Sequence, residues 1–146
     1  HVVLHQPSDA GNLGTILRTA LGFQLTNLAI IRPAADVFDP KVVRASMGAL
    51  FSMEVAQFDT FEKYREAYPS HALYPFMLDG AVPLSKAVQN PGLPYALVFG
   101  NEGSGLPSSF AQLGQAVRIP HSGKIDSLNL SVAAAIGMYA FINRED

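Results

Sequence analysis

Short apolar runs alternate with helix-period segments along the whole chain, and this alternation limits the possible folds more than any other feature. HVVLH (1–5), NLAIIR (27–32), ALYPFML (72–78), YALVF (95–99) and QAVRI (115–119) read as strands, with SMEVAQ (52–57) a weaker sixth. Between them LGTILRTALGF (13–23), KVVRASMGALF (41–51), TFEKYREAY (60–68) and the final segment from Leu128 carry helical periodicity. Strand–helix alternation predicts an α/β fold, a mainly parallel sheet flanked by helices. From spacing alone the expectation is an unknotted doubly wound domain. At 146 residues and 49% hydrophobic positions the chain has enough apolar material for one core, so residues 1–146 read as a single domain.

Composition removes several function classes. There are no cysteines, hence no disulfide framework, no cysteine zinc site and no thiol nucleophile. A formal net charge of −2 leaves no overall basic footprint, so a nucleic-acid partner must be held by a local patch, a second subunit or another domain. The longest apolar run, 128–143, is interrupted by Asn129 and Ser131 and falls short of the roughly 20 residues of a bilayer span. No membrane span and no signal peptide are expected, and a cytoplasmic location follows. The chain opens at His1 rather than methionine, which leaves room for a substrate-recognition domain upstream.

The last helical segment is apolar nearly all round. Val132, Ala135, Ile136 and Tyr139 make one face; Ala134, Met138 and Phe141 make another. Two apolar faces both need cover. One can lie on the sheet, and the other fits a second copy, so a homodimer through 128–143 is expected, the alternative being a central helix in a monomer core.

Three polar stretches carry candidate chemistry. LVFGNEGSGL (97–106) runs from a buried strand into Gly100, Gly103 and Gly105, with Asn101 and Glu102 between them. Its glycine spacing differs from that of a dinucleotide fingerprint, and no lysine–hydroxyl pair closes a phosphate loop. SGKI (122–125) fails likewise, because Arg118 and Ile125 stand where a glycine and a hydroxyl are required. Glycines at a strand's carboxyl end serve either a tight turn or close approach of a ligand to backbone. In PSDAGNLGTILRTALGF (7–23), Asp9 or Asn12 can cap a helix on which Arg18 stands among apolar neighbours. In RIPHSGKIDSLNLSVAAAIG (118–137), Ser127 and Asn129 open the apolar helix, as caps or as functional groups.

Taken together and in this order, GNLGTILRTA, VFGNEGSGL and IPHSGKIDSLNLSVAAAI resemble the three motifs of the SpoU or TrmH-like branch of the SPOUT RNA methyltransferases, and KVVRASMGALF is similar to the segment between the first two. The resemblance spans nearly the whole chain. It implies a C-terminal trefoil knot, S-adenosylmethionine as cofactor, transfer to a ribose 2′-hydroxyl of tRNA or rRNA, and a dimer that brings the first motif to the knot. The implied catalytic set is Arg18, Asn12, Glu102, Ser127 and Asn129. The implied cofactor set is Leu78, Phe99, Gly100, Gly103, Ile119, His121, Leu128 and Asn129, with Leu78 and Ile119 flanking the adenine. His121 departs from the family, which often has an apolar residue there; it is either a packing or solvent-facing residue or a catalyst.

A ribose hydroxyl holds its proton far above neutral pH, so something must accept that proton or stabilise the forming alkoxide. The resemblance assigns this to Arg18, either as a base in a strongly perturbed site or as a cation that fixes an RNA phosphate and stabilises negative charge. Arg18, Arg32, Lys41, Arg44 and Lys124 are the candidate RNA-binding cations. Competing readings are a catalytically silent cofactor- or RNA-binding module and a base methyltransferase of a related SPOUT branch. A serine hydrolase is disfavoured because no G-x-S-x-G elbow is present.

Overall fold

The strands are β1 (Val2–His5), β2 (Asn27–Ile31), β3 (Glu54–Phe58), β4 (Ala72–Pro75), β5 (Val82–Pro83), β6 (Tyr95–Phe99) and β7 (Val117–Arg118). In this computed structural model, which describes residues 1–144, five of them form one sheet in the order β3-β2-β1-β6-β4, every neighbouring pair parallel. β1 and β6 lie at its centre, and their Val2, Val3, Leu4, Leu97, Val98 and Phe99 are at most 1% exposed, as expected for strands covered on both faces.

Helices α1 (Ala10–Gly22), α2 (Pro40–Ala45), α4 (Leu84–Ala87) and α5 (Leu130–Ile142) contribute to one core, in which Leu13, Ile16, Leu17 and Ala20 of α1 meet Val2, Leu4, Leu28 and Leu97 of the sheet. α3 (Phe61–Ala67) and a 3-10 turn at Ser108–Gln112 cover the opposite face, where Phe61, Tyr64 and Phe110 pack on Val3, Ala29 and Val98. The result is a three-layer α/β domain, as the alternation of strands and helices predicts. Within the first layer α1 packs against both α2 and α5. Its contact with α2 requires Gly14, because a Cβ there would stand 2.5 Å from Ala45 Cβ and 2.6 Å from the Val42 carbonyl oxygen.

The strand expected over 72–78 ends at Pro75, and two further sequence expectations change. The helix expected over 41–51 breaks after Ala45: Met47 and Gly48 adopt φ of 52° and 80°, and the chain resumes as a 3-10 turn at Ala49–Ser52. Successive left-handed residues end an α-helix, and the glycine permits it. The QAVRI run does not join the main sheet. Only Val117–Arg118 is strand, paired with β5 in a separate two-stranded ribbon, while Gln115 N–H and the Val117 carbonyl bond to Leu73 and Met77 on the segment of β4 and cover that edge.

α5 has the two faces expected of it. Ala134, Met138 and Phe141 are fully buried, whereas Val132, Ile136 and Tyr139 are 48%, 38% and 59% exposed. The helix is therefore not central in a monomer core. Among the described residues no helix is long and apolar enough to cross a membrane.

Candidate active site

β1 and β6 are neighbours, yet β2 and β3 continue the sheet to one side of them and β4 to the other. Such a reversal of strand order opens a crevice at the carboxyl ends of the strands, where open α/β sheets hold ligands. Here the two central strands release the loops that carry the first and second motifs.

The loop after β6 is folded tightly on itself. A Cβ on Gly100 would collide with the Gly105 backbone, so this glycine answers first to a chain crossing. Gly105 sits at φ +66°, and its N–H bonds back to the Asn101 carbonyl at 2.9 Å. The Asn101 side chain organises the turn: Oδ1 accepts from Gly103 N–H (2.8 Å) and Ser104 N–H (3.1 Å), while Nδ2 donates to the Gln6 carbonyl (2.8 Å) in the loop after β1.

Glu102 makes the second tie between the loops. Its carboxylate accepts from Ser8 N–H at 3.1 Å, Ser8 Oγ at 3.0 Å and Asp9 N–H at 2.7 Å. Asp9 in turn caps α1, accepting from Asn12 N–H at 2.8 Å. The acid among the glycines is thus structural: Glu102 anchors the start of the helix that carries Arg18.

A pocket of about 470 Å³ opens between this loop, the ends of β4 and β6, and the segment 119–130. That volume lies within the range of about 300–1,000 Å³ usual for small-molecule and cofactor sites. Its walls are apolar at Phe76, Leu78, Phe99, Ile119 and Leu128, and its charged lining is Asp79, Glu102 and Asp126 against Arg118. Arg118 is itself turned to the Ala81 carbonyl, 2.8 Å away. Apolar walls beside an acidic excess fit a flat purine that carries a cationic sulfonium and ammonium, so the donor set suits S-adenosylmethionine. A larger open hollow of about 720 Å³ lies elsewhere, beside α3 and the outer edge of β4; it contains none of the motif residues, and the smaller pocket is the better candidate.

Most of the expected cofactor residues meet here. Leu78, Phe99 and Gly100, then Gly103, Ile119, His121 and Leu128, all line the pocket, together with Glu102 and Ser127. Asn129 does not. It is the N-cap of α5, and its Oδ1 accepts from Ser131 N–H (2.9 Å), Ser131 Oγ (2.6 Å) and Val132 N–H (3.3 Å). His121 is exposed, and its Nδ1 pairs with the Ile119 carbonyl at 2.8 Å, which makes Nδ1 the protonated nitrogen.

Arg18 and Asn12 lie outside the pocket lining, on α1, and Arg18 is exposed with no hydrogen bond or ion pair among the described residues. Lys41, Arg44 and Lys124 are exposed too. Arg32 is engaged, its Nη1 2.8 Å from Asp59 and its Nε 3.2 Å from Gln57 Oε1. Sequence reasoning missed Asn101 and Ser8. The signal for Asn101 was present, since an asparagine side chain commonly closes a turn by accepting from the backbone two residues on, here Gly103.

Comparison with known proteins supplies the family. Residues 1–139 match the family model described as the SpoU rRNA Methylase family. A putative tRNA (cytidine(34)-2′-O)-methyltransferase from Listeria monocytogenes is 32% identical over 150 residues, covering 100% of this chain and 88% of that protein. A 23S rRNA (guanosine(2553)-2′-O)-methyltransferase from Bacillus subtilis is 33% identical over 141 residues, covering 90% of this chain and 53% of that protein. The AdoMet-bound rRNA methyltransferase of Sinorhizobium meliloti superimposes with a TM-score of 0.87 at 33% identity, over 96% of this chain and 54% of that one. The parallel sheet, the crevice at its strand reversal and the matches over nearly the full chain agree with the three motifs, and the chain belongs to the SpoU family of S-adenosylmethionine-dependent RNA methyltransferases.

Proposed function

We propose that the 470 Å³ pocket binds S-adenosylmethionine and that the chain, as a homodimer, directs the methyl group to a ribose 2′-hydroxyl of tRNA or rRNA. The observation that carries this reading is the pairing of an acidic, apolar-walled pocket at the strand reversal with an Arg18 that is exposed, and unpaired among the described residues, on the helix that Glu102 anchors. When bound, the cofactor supplies a methyl group on a sulfonium, already a good leaving group. What remains for the protein is alignment and care of the hydroxyl proton.

Phe99, Ile119 and Leu128 would hold the purine in the apolar part of the pocket, beside the backbone of 100–105 that lines it. Arg18 serves as the cation that fixes an RNA phosphate and stabilises the alkoxide as it forms. Its exposure on α1 leaves the planar guanidinium accessible to a phosphate, and guanidinium normally keeps its proton. Ser127, on the pocket wall, and Asn12, in the first turn of α1, orient the ribose and the guanidinium. Asn129 acts at one remove, by fixing the start of α5. Lys41, Arg44 and Lys124 give phosphate contacts; Arg32, already paired with Asp59, contributes less.

The dimer reading rests on the uncovered face of α5, where Val132, Ile136 and Tyr139 stand exposed and Tyr139 meets Phe23 at the end of α1, with ring centroids 6.1 Å apart. A second copy on this face covers the apolar side chains and brings its own pocket toward Arg18, which does not line the pocket of its own chain. The same family kinship supports a trefoil knot in the segment that carries the loops 100–106 and 119–129.

The substrate pool is tested by transfer of a tritiated methyl group from S-adenosylmethionine to unmodified tRNA and to rRNA in separate reactions. Label in one pool chooses the substrate class. Cofactor binding without label in either pool would favour the silent-module reading.

A further inference from the structure

The strongest unassigned feature is a side chain between the two loops that the reaction needs. Asn101 is half-buried, and both ends of its amide are used on different loops. Oδ1 receives Gly103 N–H at 2.8 Å and Ser104 N–H at 3.1 Å, which shapes the wall of the cofactor pocket. Nδ2 donates to the Gln6 carbonyl at 2.8 Å, and reaches Ser8 Oγ at 3.5 Å. Gln6 is itself held at φ 58°, a left-handed conformation that a non-glycine residue adopts only when its surroundings impose it. Two residues further on, Ser8 and Asp9 bond to Glu102, and α1 begins.

We infer that Asn101 is a positioning residue for methyl transfer, holding the pocket loop (100–105) and the loop that launches the Arg18 helix (6–9) in one fixed arrangement. The inference rests on the transferase reading above. Glutamate alone could anchor the N–H groups of Ser8 and Asp9, but it offers no donor to the Gln6 carbonyl. An asparagine carries a donor and an acceptor on one planar amide at the end of a short side chain, so the two loops it bonds cannot shift independently. Alignment within a fraction of an ångström is what an in-line transfer demands.

The two halves of the amide can be separated by substitution. Asn101→Asp keeps an acceptor for Gly103 and Ser104 but removes the donor to Gln6. Asn101→Ala removes both. For Asn101→Asp the expected result is a cofactor dissociation constant within about threefold of wild type and a kcat lower by about 10- to 100-fold, the cost of misaligned reacting groups. Hydrogen exchange at the Ser8 and Asp9 amides should quicken in both variants, while Asn101→Ala should also weaken cofactor binding. Wild-type kcat in Asn101→Asp, or unchanged exchange at Ser8 and Asp9, would overturn the inference. So would an equal fall in cofactor affinity and kcat in both variants together with a lower melting temperature, since that pattern marks a structural role alone. A wild-type chain that binds cofactor yet methylates no RNA would refute the transferase reading instead, and the exchange measurement would still decide whether Asn101 ties the loops.

Discussion

The Glu102 carboxylate accepts both the backbone N–H and the hydroxyl of Ser8, at 3.1 and 3.0 Å, across the gap between the loops that follow β6 and β1. With the Asp9 N–H at 2.7 Å, three donors converge on one carboxylate. Glu102→Gln leaves one acceptor oxygen and turns an NH2 group toward the same donors. Hydrogen bonds to a charged group contribute about 1.5–3 kcal/mol each, so a stability loss of about 2 kcal/mol in urea unfolding is expected, together with a kcat at least about tenfold lower. Unchanged stability would show that the carboxylate does not hold the loops.

Arg18 should behave in the opposite way. It is exposed and unpaired among the described residues, so Arg18→Ala should leave stability within about 0.5 kcal/mol of wild type and leave cofactor affinity unchanged. Methyl transfer should be abolished. Retained turnover would remove Arg18 from the chemistry; lost cofactor binding would place it in the pocket instead.

The glycines of the pocket loop separate a folding requirement from a ligand requirement. A Cβ on Gly100 meets the Gly105–Leu106 backbone, whereas one on Gly103 meets only Asn101 Oδ1 at an ordinary 3.5 Å. Gly100→Ala should therefore destabilise the loop and weaken cofactor binding. Gly103→Ala should leave the melting temperature near that of wild type, and calorimetry with S-adenosylmethionine then reports whether the ligand approaches this backbone. A tenfold weaker affinity at unchanged stability is expected.

The strands of the main sheet were legible as short apolar runs and most helices by their 3.6-residue period, and YALVF is strand over the very residues quoted, Tyr95–Phe99. Less visible was the division of labour at the site. Gly100 reads equally well as a ligand contact or a turn, and only the crossing of Gly105 over it decides that the turn comes first. Asn129 and Ser127 read alike as caps, and three-dimensional placement assigns the cap to Asn129 and the pocket wall to Ser127. The helix over 41–51 was overextended because apolar periodicity continues through Met47 and Gly48, where the backbone turns left-handed. The ties from Asn101 and Glu102 to residues 6–9 join segments too far apart in sequence for any local pattern to reveal.

A pH dependence follows from His5. It ends β1 with Nδ1 buried and without a partner among the described residues, beside the Phe110 ring at 5.1 Å. Burial lowers its pKa, and Glu62 opposes that shift only in part. The folded state then binds fewer protons than the unfolded one below the ordinary histidine value of about 6.5. Stability is full above that value and is lost as pH falls through the window beneath it. Melting temperature should drop between pH 7 and pH 5.5, and His5→Phe should flatten the slope in this range; a slope equal to wild type would assign the effect to other groups.

The uncovered face of α5 yields a test of assembly. Ile136→Asp places a charge among Val132 and Tyr139 on the exposed side, away from the buried Ala134, Met138 and Phe141. Sedimentation should move from dimer to monomer with helix content retained, and methyl transfer should fall with it. A variant that remains dimeric would move the interface elsewhere.

The central claim is the acceptor atom, and nucleoside mass spectrometry of RNA incubated with this chain and S-adenosylmethionine tests it most directly. A gain of 2′-O-methylnucleoside in the tRNA or rRNA pool, absent with Arg18→Ala, is the expected result. A methylated base, with the ribose unmodified, would contradict it.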